Sequence, residues 1–267
     1  MSKVAFMTMD VESYYDTMCL KGTDVVVDDQ FTCANQIDKY LSLLDKYNIK
    51  ATFFVATSFL PKCKNFLLKA IEQGHEIALH CDEHEILKDL PKEEFDSLIK
   101  KSKELLKKEL NVEPVGFRFP CFEYREELLE VLKENGFIYN SSMSLDEGKV
   151  FLLNDLYEIP LIQKHLFGKK ILLSGGGYGR VLPRKTYLKW VKKYIDSHDY
   201  FIFYFHPFEI FEGELPLPNK VSFKVKNYIN QGRKDYLSRI ESIIHFLKEN
   251  DYQFSSIKEY LKDGTRS

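Results

Sequence analysis

Residues 4–12 read Val-Ala-Phe-Met-Thr-Met-Asp-Val-Glu. Val4–Met9 is a short apolar run, the pattern of a buried strand, and two carboxylates, Asp10 and Glu12, follow it directly. Similar runs recur at Ala51–Ala56, His75–His80, Val115–Phe119, Phe137–Ser141 and Tyr200–His206, with a short seventh at Tyr252–Ser255. Between them lie stretches with helical spacing. Ala34–Tyr47 places Ile37, Tyr40, Leu41 and Leu44 on one face, and Lys64–Gln73 ends at Gly74. Pro91–Leu110 carries Phe95, Leu98, Ile99, Leu105 and Leu106 inward, and Tyr124–Asn135 stops at Gly136. Pro183–Ile195, Gly232–Asn250 and Ser256–Lys262 complete the set. Strands separated by helices pair in parallel, because each return needs a crossover. Seven such units predict an α/β fold, a distorted (β/α)7 barrel with a parallel sheet. An open doubly wound sheet is the second choice. In both, the working face is the C-terminal ends of the strands. The stretch from about Met143 to Leu182 reads as an irregular excursion containing Ser174-Gly175-Gly176-Gly177-Tyr178-Gly179-Arg180.

The chain has 267 residues, 44% of them hydrophobic and 29% charged. It is long enough for a barrel of about 250 residues, and no linker or repeat divides it. Residues 1–267 therefore read as a single domain. The net charge of -2 gives no basis for nucleic acid or an anionic membrane as the main partner. The five cysteines are odd in number and form no C-x-x-C, and no export signal or run of about twenty apolar residues is visible. Free thiols without an export signal point to the cytoplasm; the oligomeric state leaves no trace in the sequence.

The reactive side chains fall where this topology gathers them. Asp10 and Glu12 follow the first strand, His80 ends the third, Arg118 the fourth and His206 the sixth, so one mouth collects them all. His80 and His84 stand four apart, close enough on one turn to reach one ion. With Glu12 they form two imidazoles and one carboxylate, the pattern of a catalytic zinc or similar divalent site. Asp10 and Glu12, two apart in an extended segment, point to the same side; one can serve as ligand and the other as base, or Asp10 can simply cap a polar turn. Arg118, amid Phe117 and Phe119, either reaches solvent at the strand end or, when buried, needs a partner, for which Asp10 is the natural candidate.

In order, Thr8-Met9-Asp10-Val11-Glu12, His80-x-x-x-His84, Arg118-x-Pro120 and Phe205-His206-Pro207 resemble the motifs of the polysaccharide deacetylase (NodB homology) family, carbohydrate esterase family four. Asp-Val-Glu and the glycine-rich Gly175–Arg180 look more like its exopolysaccharide and surface-glycan branch. The resemblance implies a divalent metal, usually zinc, held by His80, His84 and Glu12. It also implies Asp10 as general base oriented by Arg118, and His206 as general acid. The Cys121 backbone N–H would be the oxyanion donor, and an N-acetylated sugar or glycan the substrate. Tyr178 and Arg180 are substrate-contact candidates; Tyr14, Tyr15 and Phe208, like Tyr178, are candidates to stack on sugar rings. Departures from the family pattern are Val11, where the family most often has a second aspartate, and Cys121 in place of an aromatic. Asp146 and Asp155 are candidates for the acid behind His206. The competing readings are an allantoinase-like, metal-independent hydrolase of cyclic amides and a catalytically silent glycan-binding barrel. A dinucleotide-binding fold is disfavoured, because the glycine run lacks a strand–loop–helix setting.

Overall fold

All eight residues of strand β1 (Val4–Val11) are buried, as a strand covered on both faces requires. The computed structural model describes residues 3–16, 36–82, 87–166, 168–217 and 221–264. After β1 come α1 (Gln36–Lys46), β2 (Thr52–Val55), α2 (Leu60–Glu72), β3 (Glu76–Leu79), α3 (Lys92–Leu110), β4 (Gly116–Phe117), α4 (Leu129–Glu134) and β5 (Tyr139–Asn140). The next stretch holds β6 (Ser144–Leu145), β7 (Phe151–Leu153), β8 (Leu156–Glu158), β9 (Leu161–Leu166), β10 (Lys169–Leu172) and α5 (Gly176–Val181). The chain then runs through α6 (Arg184–Ile195), β11 (Tyr200–Phe205), α7 (Phe223–Asn230), α8 (Tyr236–Lys248), β12 (Gln253–Phe254) and α9 (Ile257–Gly264).

The main sheet has the order β11-β1-β2-β3-β4-β5-β8-β7. Its seven strands from β11 to β8 are parallel, and β7 adds an antiparallel edge. The sheet curls into the distorted barrel expected from the alternation, with helices outside. Its open side, between β8 and β11, is bridged by the β10-β9-β6 sheet. The segment after β10 is stitched to β11 by Tyr204 N–H donating to Ser174 O at 2.8 Å and by a parallel bridge between Gly175 and Tyr204. No helix among the described residues is long and apolar enough to cross a membrane.

Two sequence expectations are corrected. The seventh parallel strand is β8; Tyr252–Ser255 yields only β12, which pairs with the start of β1 at Val4 and Ala5. The stretch from Met143 to Leu182 is ordered structure, five strands and a helix. It was misread because these strands are short and half-exposed, so neither a continuous apolar run nor a clean alternation marks them. The glycine run within that excursion opens α5. Gly175 has φ +114°, and a Cβ there would lie 2.6 Å from Tyr204 O, so glycine is what lets this backbone lie against β11.

Candidate active site

The C-terminal ends of β1, β3 and β11 open into a cavity of about 540 Å³ whose lining includes Asp10, Glu12, His80 and His206. A larger hollow of about 650 Å³ between α3, α4 and β7 is lined by Lys92, Lys133, Asn154 and surface carboxylates. Its lysines are paired with carboxylates, Lys92 with Glu130 and Lys133 with Asp155, and it gathers no imidazole, so the chemistry belongs to the first cavity.

Asp10 is 1% exposed and Arg118 is fully buried. The Arg118 guanidinium donates to Asp10 Oδ1 at 2.6 Å, to Thr8 Oγ1 at 3.1 Å, and to Ser141 through its carbonyl at 2.9 Å and its hydroxyl at 2.8 Å. Its charge centre lies 4.0 Å from the centre of the Phe54 ring. Each guanidinium nitrogen has a partner, which is what makes so buried a cation tolerable. Beneath it, Glu158 accepts from the backbone N–H groups of Ser142 and Met143 and from Asn140 Nδ2, pinning the turn that presents Ser141.

His80 Nδ1 donates to Arg118 O at 2.9 Å. A carbonyl can only accept, so this bond puts a ring proton on Nδ1 and turns Nε2, the nitrogen a metal would take, toward Glu12 Oε2 at 3.2 Å. Two donor atoms at that separation suit one divalent ion about 2 Å from each. Glu12 and His80 therefore fit the metal that the sequence implies. The expected third ligand, His84, lies outside the described residues. Among the described residues no cluster of three metal-type side chains is assembled.

His206 follows β11 at its C-terminal end. Its Nε2 lies 3.4 Å from Glu12 Oε1, and its Nδ1 is 3.1 Å from Glu209 Oε2, which also accepts the His206 backbone N–H at 3.0 Å. Burial by itself lowers this imidazole's pKa, but the Glu209 hydrogen bond and the charges of Glu12, Glu209 and Asp10 outweigh it and bring it to about 9. Burial raises Glu209, yet the bond from His206 and the Arg180 guanidinium hold it below the usual carboxylate range. Glu209 is thus the acid behind His206, and Asp146 and Asp155 are not. Asp146 faces His165 at 3.5 Å, Asp155 pairs with Lys133, and both carboxylates are exposed.

Arg180 is also corrected. It does not line the cavity but is 1% exposed, with Nε donating to Glu209 Oε1 at 3.0 Å and Nη1 to the carbonyls of Tyr228, Ile229 and Gln231. It holds Glu209 from behind rather than reaching a ligand. Tyr14 and Tyr15 pack in a satellite core, and both hydroxyls donate to Pro216 O, so neither is part of the cavity lining. Cys121, with φ +54°, does line the cavity, as do Phe208 and Tyr178. Phe208 stacks on His206 with ring centres 5.6 Å apart, and Tyr178 is 41% exposed at the rim. The sequence reading missed Phe122, Lys170, Leu172, Tyr204, Glu209 and Tyr228.

A curled parallel sheet that delivers buried carboxylates, imidazoles and an arginine-locked aspartate to one mouth defines a (β/α)-barrel protein with acid–base chemistry at its C-terminal face. Residues 24–139 match the family "Polysaccharide deacetylase" and residues 142–262 match "Domain of unknown function (DUF3473)". Residues 24–139 thus match the polysaccharide deacetylase family, in line with the NodB-type resemblance of the ordered motifs. It is 27% identical over 107 residues to a peptidoglycan deacetylase of Helicobacter pylori (40% of this chain, 36% of that one). It is 30% identical over 100 residues to a peptidoglycan-N-acetylglucosamine deacetylase of Bacillus cereus (38% and 36%). The matched region spans about a third of the length of these curated relatives. Among solved structures, one from Mycobacterium smegmatis assigned as a polysaccharide deacetylase superposes with a TM-score of 0.67 at 16% identity, covering 98% of this chain and 91% of the other. A CE4 family pseudoenzyme from Bacillus anthracis shares the fold at TM-score 0.59 and 14% identity, covering 97% and 65%.

Proposed function

We propose that the protein is a metal-dependent carbohydrate N-deacetylase, which hydrolyses the acetamide of an N-acetylated amino sugar to acetate and a free amine. The observation that carries this reading is the convergence in one cavity of three units: Asp10 locked by Arg118, His80 aimed at Glu12, and His206 backed by Glu209. Glu12, His80 and His84 would hold the divalent ion, zinc by the chemistry of the donor set. When bound, such an ion polarises the amide carbonyl and acidifies a water molecule.

The chain's own residues do the rest. Asp10, fixed by the guanidinium, accepts the proton of the attacking water. The Cys121 backbone N–H faces the developing oxyanion, a contribution of about 3 kcal/mol per donor. His206 gives its proton to the departing nitrogen. One water is consumed, the C–N bond breaks, and acetate and the amine leave. The names of the curated relatives make peptidoglycan-type amino sugars the first substrates to try.

The test is acetate release from N-acetylglucosamine oligomers and peptidoglycan fragments, with metal analysis of the same protein. Chelation is expected to stop release and zinc to restore it. Asp10→Asn is expected to lower turnover by about 10³-fold while metal stays bound, and His80→Ala to lose the metal. Near-normal turnover in Asp10→Asn, or no acetate from any substrate with metal restored, overturns the proposal.

A further inference from the structure

The floor of the cavity is rich in carboxylates, yet its charges have partners. Arg118 answers Asp10, Arg180 answers Glu209, and Glu12 faces two imidazoles. One cation, Lys170, remains among the described residues that line the cavity. It lies on β10, and Leu172, two residues on, lines the same cavity. Alternate strand residues share a face, so β10 turns its Lys170–Leu172 side to the site. The β9–β10 pairing fixes this register, with Lys170 opposite His165 and Leu172 opposite Gln163. Exposed lysines elsewhere, such as Lys46 and Lys69, sit against carboxylates. Lys170 meets no such side chain among the described residues, and the floor does not need its charge.

The rim that contains Lys170 is otherwise aromatic. Tyr178 and Tyr228 are 41% and 38% exposed. A Cβ on Gly177 would lie 1.8 Å from Tyr228 Oη, so the bare α5 backbone is what allows that phenol to lie where it does. Phenol rings suit the apolar faces of a pyranose, and an ammonium group on the same rim suits an anionic substituent of that sugar or of its neighbour. We infer that the substrate carries a carboxylate or phosphate close to the acetamido ring and that Lys170 selects for it. This inference rests on the deacetylase reading and narrows its substrate class to acidic N-acetyl sugars.

The test is direct binding by calorimetry in an Asp10→Asn background, which arrests turnover. The probes are N-acetylmuramic acid for the carboxylate, UDP-N-acetylglucosamine for the phosphate and di-N-acetylchitobiose as the neutral sugar. At low salt at least one anionic probe is expected to bind about fivefold tighter than the neutral one, and the stronger of the two identifies the source of the charge. The preference is expected to vanish in Lys170→Met and to reverse in Lys170→Glu. Binding without a charge preference, or a preference that survives Lys170→Glu, overturns this inference alone. Failure of all three probes to bind overturns the deacetylase reading with it.

Discussion

Glu209 shows how a functional residue can be legible and still be passed over. His206-Pro207-Phe208-Glu209 has proline at the first position of a helical turn and an acid at the third, the spacing of a capping box. The carboxylate does return to the His206 backbone N–H, and the same oxygen meets Nδ1. Asp10, Glu12, His80, Arg118 and His206 were legible because each sits at a strand end, where topology alone sets direction. Arg180 was not, since a spacing pattern cannot say whether a guanidinium faces a ligand or a buried carboxylate. Glu209→Gln keeps the side-chain shape and one acceptor oxygen, enough for either Arg180 or the His206 N–H, and removes the charge behind the imidazole. It is expected to lower kcat by about 10- to 100-fold with little change in KM. Near wild-type kcat in a folded Glu209→Gln would show that His206 works without a carboxylate behind it.

Among the elements, legibility followed burial. β1, β2, β3 and β11 are covered on both faces, so their apolar runs stand out, and the expected and observed limits agree within two residues. β4 and β5 pair over only two residues each, fewer than the apolar runs around them suggest. α5 defied expectation because glycine is a poor helix former. Tertiary contact supplies what propensity lacks: Tyr236 Oη donates to Gly176 O at 2.9 Å, and the missing side chains admit Tyr204 and Tyr228. Gly177→Ala is therefore expected to displace the Tyr228 phenol, costing about 1–3 kcal/mol of stability as overpacking does. Its kinetic effect should fall on KM more than on kcat, since Tyr228 lines the rim while the reacting groups lie below. Denaturant unfolding and steady-state kinetics read the two effects; an unchanged KM would mean that Tyr228 does not touch the sugar.

At the scale of the whole molecule, chemistry and stability occupy opposite ends of the barrel, the division a parallel barrel favours. The mouth holds the acid–base groups. The base holds a buried polar cluster around the start of β3, where Glu76 accepts from Thr52 Oγ1 and Tyr139 Oη, both at 2.8 Å, and from Lys258 N–H at 2.9 Å. Beside it His75 is 7% exposed, and its Nδ1 accepts the Ala51 N–H at 3.2 Å, a bond that a protonated ring cannot keep. Burial first, then Lys50, pulls His75 down from 6.5 to about 4. Between those values the unfolded chain binds a proton that the folded chain refuses, so stability falls as pH drops from about 6.5 to about 4, by roughly 3 kcal/mol when complete. Burial raises Glu76, whose neutral form the fold favours, so its contribution has the opposite sign and is lost as pH rises. The two are separated by difference. In His75→Gln, whose amide oxygen can still accept from Ala51, denaturant titrations are expected to run parallel to wild type above pH 6.5 and to pull ahead of it by that amount on approach to pH 4. Curves that stay parallel over the whole range would place the acid sensitivity of the fold elsewhere than at its base.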